Sequence, residues 1–121
     1  MIEHYILDDE HKPVRLRGTH EEVYKQLFDW EMSNPEGLFV KKTYFGTNDN
    51  IEVSTVFLTI NYNPFPFGLP MLWETMIFGG IYEGVVDRYS SYEEAMQGHE
   101  TMCNMVKESL SNDQTQAWWD T

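Results

Sequence analysis

The stretch VSTVFLTINYNPFPFGLPMLWETMIFGG, residues 53–80, decides the fold. Two runs rich in β-branched and large apolar residues, 53–61 and 71–78, flank the connection NPFPFGLP at 63–70. Such runs read as paired strands. Pro64, Pro66 and Pro70 have no N–H for a ladder, so the connection is expected to leave the sheet. In the first run Val56, Leu58 and Ile60 alternate with Val53, Thr55, Phe57 and Thr59. Apolar residues fall on both faces, as in a central strand covered on at least part of each side. Phe65 and Phe67 have two open placements: tucked back over the core, or exposed as a docking surface.

Outward from this hairpin, Gly79-Gly80 turns or bulges the chain, and Val85–Tyr89 is expected to return alongside. On the other side, Leu38–Phe45 reads as a strand joined to Glu52–Asn61 through a polar turn. That turn holds Asn48-Asp49-Asn50, residue types that tolerate left-handed backbone. Thr19 and Glu22 have the spacing of a capping box. Val23, Leu27 and Trp30, flanked by Tyr24 and Phe28, then form an apolar stripe that Asn34-Pro35-Glu36-Gly37 stops. A second helix follows Ser91 with Glu94 in the box position, or Ser90 with Glu93. Its periodic residues are Tyr92, Ala95, Met96, His99, Met102, Cys103, Val106 and Leu110, and the pattern fails after Ser111. Gly98, in the middle, weakens this helix by about 1 kcal/mol relative to Ala, which points to close approach of helix and sheet. Residues 2–8 suggest a short edge strand, and Val14–Arg17 is extended again.

The expected architecture is an α+β two-layer sandwich: an antiparallel β-sheet of about four or five strands packed against two α-helices. With 121 residues, one compact domain spans 1–121, and 112–121 forms a peripheral tail. Trp118 and Trp119 in that tail either dock on the domain or face a partner.

Twenty acidic side chains against 8 Lys plus Arg give a formal net charge of -12. That field repels phosphates, so direct nucleic-acid binding is not expected, nor is binding to an anionic membrane. It suits solubility and a partner with a basic surface. No apolar run approaches a membrane span, and the acidic N-terminus lacks the features of a signal peptide. Cys103 is the single cysteine, so no intrachain disulfide forms and the cytoplasm is the expected compartment. On the apolar face of its helix, with no local basic cluster, it reads as a buried inert thiol.

Glu74 is the most informative polar residue. If Leu72, Met76 and Phe78 face the core, Glu74 does too, and a buried carboxylate must pair, protonate or reach an opening. In that register Arg88 fixes Glu74, and His99 completes a buried network or a small-ligand or acid–base site. In the other register Trp73, Thr75 and Ile77 face inward and Glu74 lies at the surface. GHETM at 98–102 lacks the second histidine of a zinc-protease helix. His99 and Cys103 alone are too few ligands for a metal, and no phosphate loop is present, so no cofactor or metal is expected.

STVFL at 54–58, Trp73-Glu74-Thr75-Met76, Phe78-Gly79-Gly80, Arg88-Tyr89-Ser90 and Gly98-His99 together resemble a family of small uncharacterised bacteriophage and prophage proteins. The resemblance covers residues 54–100, somewhat under half the chain. Where that pattern carries Asp-His after the first strand, this chain has Asn61-Tyr62, which removes an ionisable pair. The resemblance implies a viral or prophage origin and action in the bacterial cytoplasm. The function expected is a non-enzymatic protein-binding factor acting on a host or phage protein. Inhibition of a host defence or nucleic-acid-binding protein is one special case. Two alternatives stay open: a ligand-binding protein or enzyme using Glu74, Arg88 and His99, and a homo-oligomeric structural protein.

Overall fold

The computed structural model describes residues 2–119, with side chains through Ser111. The chain is α+β. Strands β3 (Phe39–Phe45), β4 (Ile51–Phe57), β5 (Trp73–Phe78) and β6 (Val86–Tyr89) form an antiparallel meander in that order. Strands β1 (Tyr5–Leu7) and β2 (Pro13–Arg15) form a separate two-stranded ribbon. Helix α1 (His20–Ser33) lies between ribbon and sheet in sequence, and helix α2 (Tyr92–Trp119) follows β6.

Local chemistry accounts for most boundaries. The Glu22 N–H donates to Thr19 Oγ1 and the Thr19 N–H donates to Glu22 Oε1, both at 3.2 Å, which completes the expected capping box of α1. At α2 the cap is Ser91, settling the register: the Glu94 N–H donates to Ser91 Oγ at 3.1 Å, and the Ser91 hydroxyl donates to Glu94 Oε1 at 3.0 Å in place of the backbone N–H of a full box. Asn48 and Asp49 adopt φ of 60° and 55° in the β3–β4 turn, the left-handed backbone their short side chains tolerate. The ribbon turns at Asp8, whose Oδ1 accepts from the N–H groups of Glu10 and Lys12. It is tied to the segment after β4 by the Tyr5 N–H donating to the Thr59 carbonyl at 2.7 Å.

Two expectations change here. The first long strand ends at Phe57 rather than near Asn61, because Thr59 takes a positive φ of 60° that no strand accommodates. Residues 5–7 pair with β2 rather than extending the main sheet. Beyond Ser111, where the apolar pattern fails, the backbone of α2 continues as helix to Trp119.

Helix α2 lies across all four strands of the sheet. Helix α1 reaches the core through Trp30, whose ring meets Phe57 edge-on at 5.8 Å. The covered face divides into two apolar clusters. Tyr5, Phe57, Leu72, Trp73, Tyr89 and Ala95 form one. Ile51, Val53, Ile77, Met102, Cys103 and Val106 form the other. Fully burying each large side chain contributes roughly 1.5–3 kcal/mol. Between the clusters runs a polar belt of Thr55, Thr75 and His99, all buried. Gly98 lets α2 approach: a Cβ there would collide with the buried ring and hydroxyl of Tyr89. The expectation of a close helix–sheet contact at this glycine holds.

Candidate functional site

Strand register separates the three residues expected to converge. Glu74 pairs with Arg88 across β5 and β6, and Arg88 Nε donates to Glu74 Oε2 at 2.9 Å. The pair sits on the face that α2 leaves uncovered, with Glu74 17% and Arg88 42% exposed. The Arg88 guanidinium also lies over the Tyr62 ring, 5.2 Å from its centroid. His99 is on the opposite side of the sheet, 1% exposed beneath α2. The expected Glu74–Arg88 pairing therefore forms, but the buried constellation with His99 does not. Trp73, Thr75 and Ile77 are the inward residues of β5. Turning Trp73, Thr75 and Ile77 inward rather than Glu74, Met76 and Phe78 spares the desolvation of a carboxylate.

The buried imidazole has its own partners. His99 Nδ1 is 2.7 Å from Thr55 Oγ1, and His99 Nε2 is 2.8 Å from Thr43 Oγ1. Thr55 Oγ1 is in turn 2.6 Å from Thr75 Oγ1. Burial lowers the His99 pKa below its ordinary value, and the Lys41 ammonium lowers it further. The ring is accordingly neutral at neutral pH, with one nitrogen donating and the other accepting. Thr43 lies at the edge of a cleft of about 410 Å³ between β3 and α2, lined also by Lys41, Cys103 and Lys107. Burial raises the Cys103 thiol pKa; a Thr43 hydrogen bond and the Lys107 and Lys41 charges pull against it. Lys107 is one helical turn along α2 from this thiol. Lys41 comes from a strand far away in the chain, and only the packing of β3 against α2 brings it there. Desolvation still prevails, and the thiol stays protonated at neutral pH.

The residues missed from sequence are thus Lys41, Thr43, Thr55 and Lys107. The signal for Lys107 was its i,i+4 spacing from Cys103 on α2, and for the others the inward alternation of Lys41 and Thr43 on β3 opposite Thr55 and Val53. Among the described residues, no group of three or more His, Cys, Asp or Glu side chains is placed to hold a metal.

The Pro/Phe connection is exposed rather than folded onto the core. Phe65 is 63% and Phe67 74% exposed, with their rings stacked at 5.8 Å, and Leu69 projects beside them. Asparagines hold the loop. Asn63 Nδ2 donates to the carbonyls of Phe67 and Leu69 at 3.2 and 2.9 Å, and the Phe65 N–H donates to Asn63 Oδ1. Asn61 Oδ1 accepts from the N–H groups of Asn63 and Met71, which closes the base of the loop. The uncovered sheet face adds Phe39, Tyr44 and Phe78, each about half exposed. The rings of Trp118 and Trp119 lie outside the described side chains.

Compared with family models, curated proteins and solved structures, the chain matches none. Among the described residues, no helix is long and apolar enough to cross a membrane.

Proposed function

We propose that this protein is a non-enzymatic binding factor that docks on another protein through the loop 61–70. The observation that carries the reading is a preorganised loop displaying Phe65 and Phe67 to solvent while its backbone is held by Asn61 and Asn63. An apolar loop with no role in the core costs solubility, and one already rigid loses little entropy on binding. Aromatic anchors of this kind contribute disproportionately to interface affinity. The net charge of -12 adds long-range attraction to a basic partner, so the fitting partner has an apolar pocket rimmed by Lys and Arg. The resemblance of residues 54–100 to bacteriophage and prophage proteins supports a host or phage protein as that partner.

The test is capture of partners from bacterial lysate at low salt, followed by affinity measurement with the purified candidate. The Phe65→Ala/Phe67→Ala double variant is expected to fold normally and bind at least about tenfold more weakly. Added salt is expected to slow association. Affinity unchanged by the double variant would remove the loop from the interface. Recovery of no specific partner even at low salt would remove the function.

A further inference from the structure

We propose that the cleft between β3 and α2 is a binding site for a small oxyanion, a carboxylate or phosphate group, whose binding selects the tautomer of His99. Charge placement is the first observation. The described ion pairs occupy Lys12, Arg15, Lys25 and Arg88. Lys41 and Lys107, like Arg17 and Lys42, take part in none of them, although the chain has 20 acidic side chains. Both line the same cleft, where Glu100 is the one carboxylate, leaving one net positive charge (two ammoniums against one carboxylate). On a molecule of net charge -12, this is a local reversal of sign. Lys41 is close enough to act electrostatically on His99, and both lysines act on Cys103, so their charge bears on the cleft floor.

The floor supplies direction. The contacts form a chain Thr75–Thr55–His99–Thr43, with Oγ1–Oγ1, Oγ1–Nδ1 and Nε2–Oγ1 separations of 2.6, 2.7 and 2.8 Å. A neutral imidazole allows two arrangements of protons along it. With the proton on Nδ1, His99 donates to Thr55, Thr55 donates to Thr75, and the Thr43 O–H is consumed by Nε2. With the proton on Nε2, Thr75 donates to Thr55, Thr55 donates to Nδ1, and Nε2–H donates to Thr43. The Thr43 O–H is then released from Nε2 and can turn from Cys103, its other partner, to donate into the cleft. An oxyanion against Thr43 rewards the second arrangement, because only that one offers it a hydroxyl donor, and the dipoles along the chain reinforce one another. Phe45 and Met96 form the apolar part of the wall, and about 410 Å³ suits a small molecule. Lysines suit a compact oxyanion as point charges.

The full chain, carrying 15N-labelled histidine, is titrated at neutral pH and low ionic strength with inorganic phosphate and, separately, with acetate. At least one is expected to shift the His99 ring nitrogens saturably, Nε2 toward the protonated type and Nδ1 toward the unprotonated type. Sodium chloride at matched ionic strength is expected to leave them in place. Lys41→Met/Lys107→Met, a change of two exposed side chains, is expected to weaken binding about tenfold or more without altering the melting temperature. Thr43→Ser is expected to retain binding and Thr43→Val to lose it. The proposal is overturned by absent or unsaturable shifts with both anions, by equal shifts with chloride, or by saturable binding that leaves the His99 tautomer unchanged. Undiminished affinity in the double lysine variant overturns it equally.

Discussion

The two faces of one sheet treat their polar residues in opposite ways. Beneath α2, Thr55, Thr75 and His99 are cut off from water, and their side chains find partners in one another and in Thr43. On the uncovered face, Glu74 accepts from Arg88 with solvent within reach. A single strand supplies both: β5 alternates Trp73, Thr75 and Ile77 inward with Glu74, Met76 and Phe78 outward. Neutral hydroxyls and a neutral imidazole suit the covered face, since an isolated charge there would cost several kcal/mol. The uncovered face tolerates ions and aromatics together and so retains surface for recognition.

The most severe break in this comparison comes from truncating one large residue on each face. Trp73→Ala is expected to cost about 3–5 kcal/mol of stability in urea unfolding, as for other buried aromatics. Phe78→Ala, five residues along the same strand on the uncovered face, is expected to cost about 1 kcal/mol or less. Equal losses would mean the faces do not differ as described. A smaller effect isolates the helix–sheet contact. Gly98→Ala improves helix propensity by about 1 kcal/mol, yet overpacking against Tyr89 is expected to leave a net loss of about 1–3 kcal/mol. In a Tyr89→Leu background the same substitution is expected to lose its cost, and additivity in that double-mutant cycle would place the contact elsewhere.

Acidification gives the gentlest break. The folded His99 resists protonation, so below its ordinary value of 6.5 the unfolded chain binds more protons than the native one. The stabilisation is fully present above that value and falls as pH drops through it, at no more than about 1.4 kcal/mol per pH unit. Thermal unfolding of the full chain is expected to show this slope, and His99→Gln to flatten it. An unchanged slope in that variant would assign the effect to other groups.

Much of the framework was legible in residues 53–80, in the Thr19–Glu22 box and the Ser91 cap, and in the periodicity of α2. These are local signals: a missing donor, a cap, a spacing of apolar side chains. The site was legible only in halves. Glu74 and Arg88 could be paired from strand order, but apolar residues on both faces of β5 left the inward side undetermined. Lys107 stands one helical turn from Cys103 in the sequence, but Lys41, 62 residues earlier, is brought to the same cleft only by the packing of β3 against α2.

By itself, then, the amino-acid sequence determined the α+β class, the strand order around the Pro/Phe loop and the capped helices, because short-range sterics and hydrogen bonding dictate these. Only the tertiary structure decided which face α2 covers, that Phe65 and Phe67 point to water, and that Lys41, Thr43, His99 and Lys107 surround one cleft. Those outcomes depend on comparing the burial of whole faces and on contacts between distant segments, quantities that no local window of residues contains.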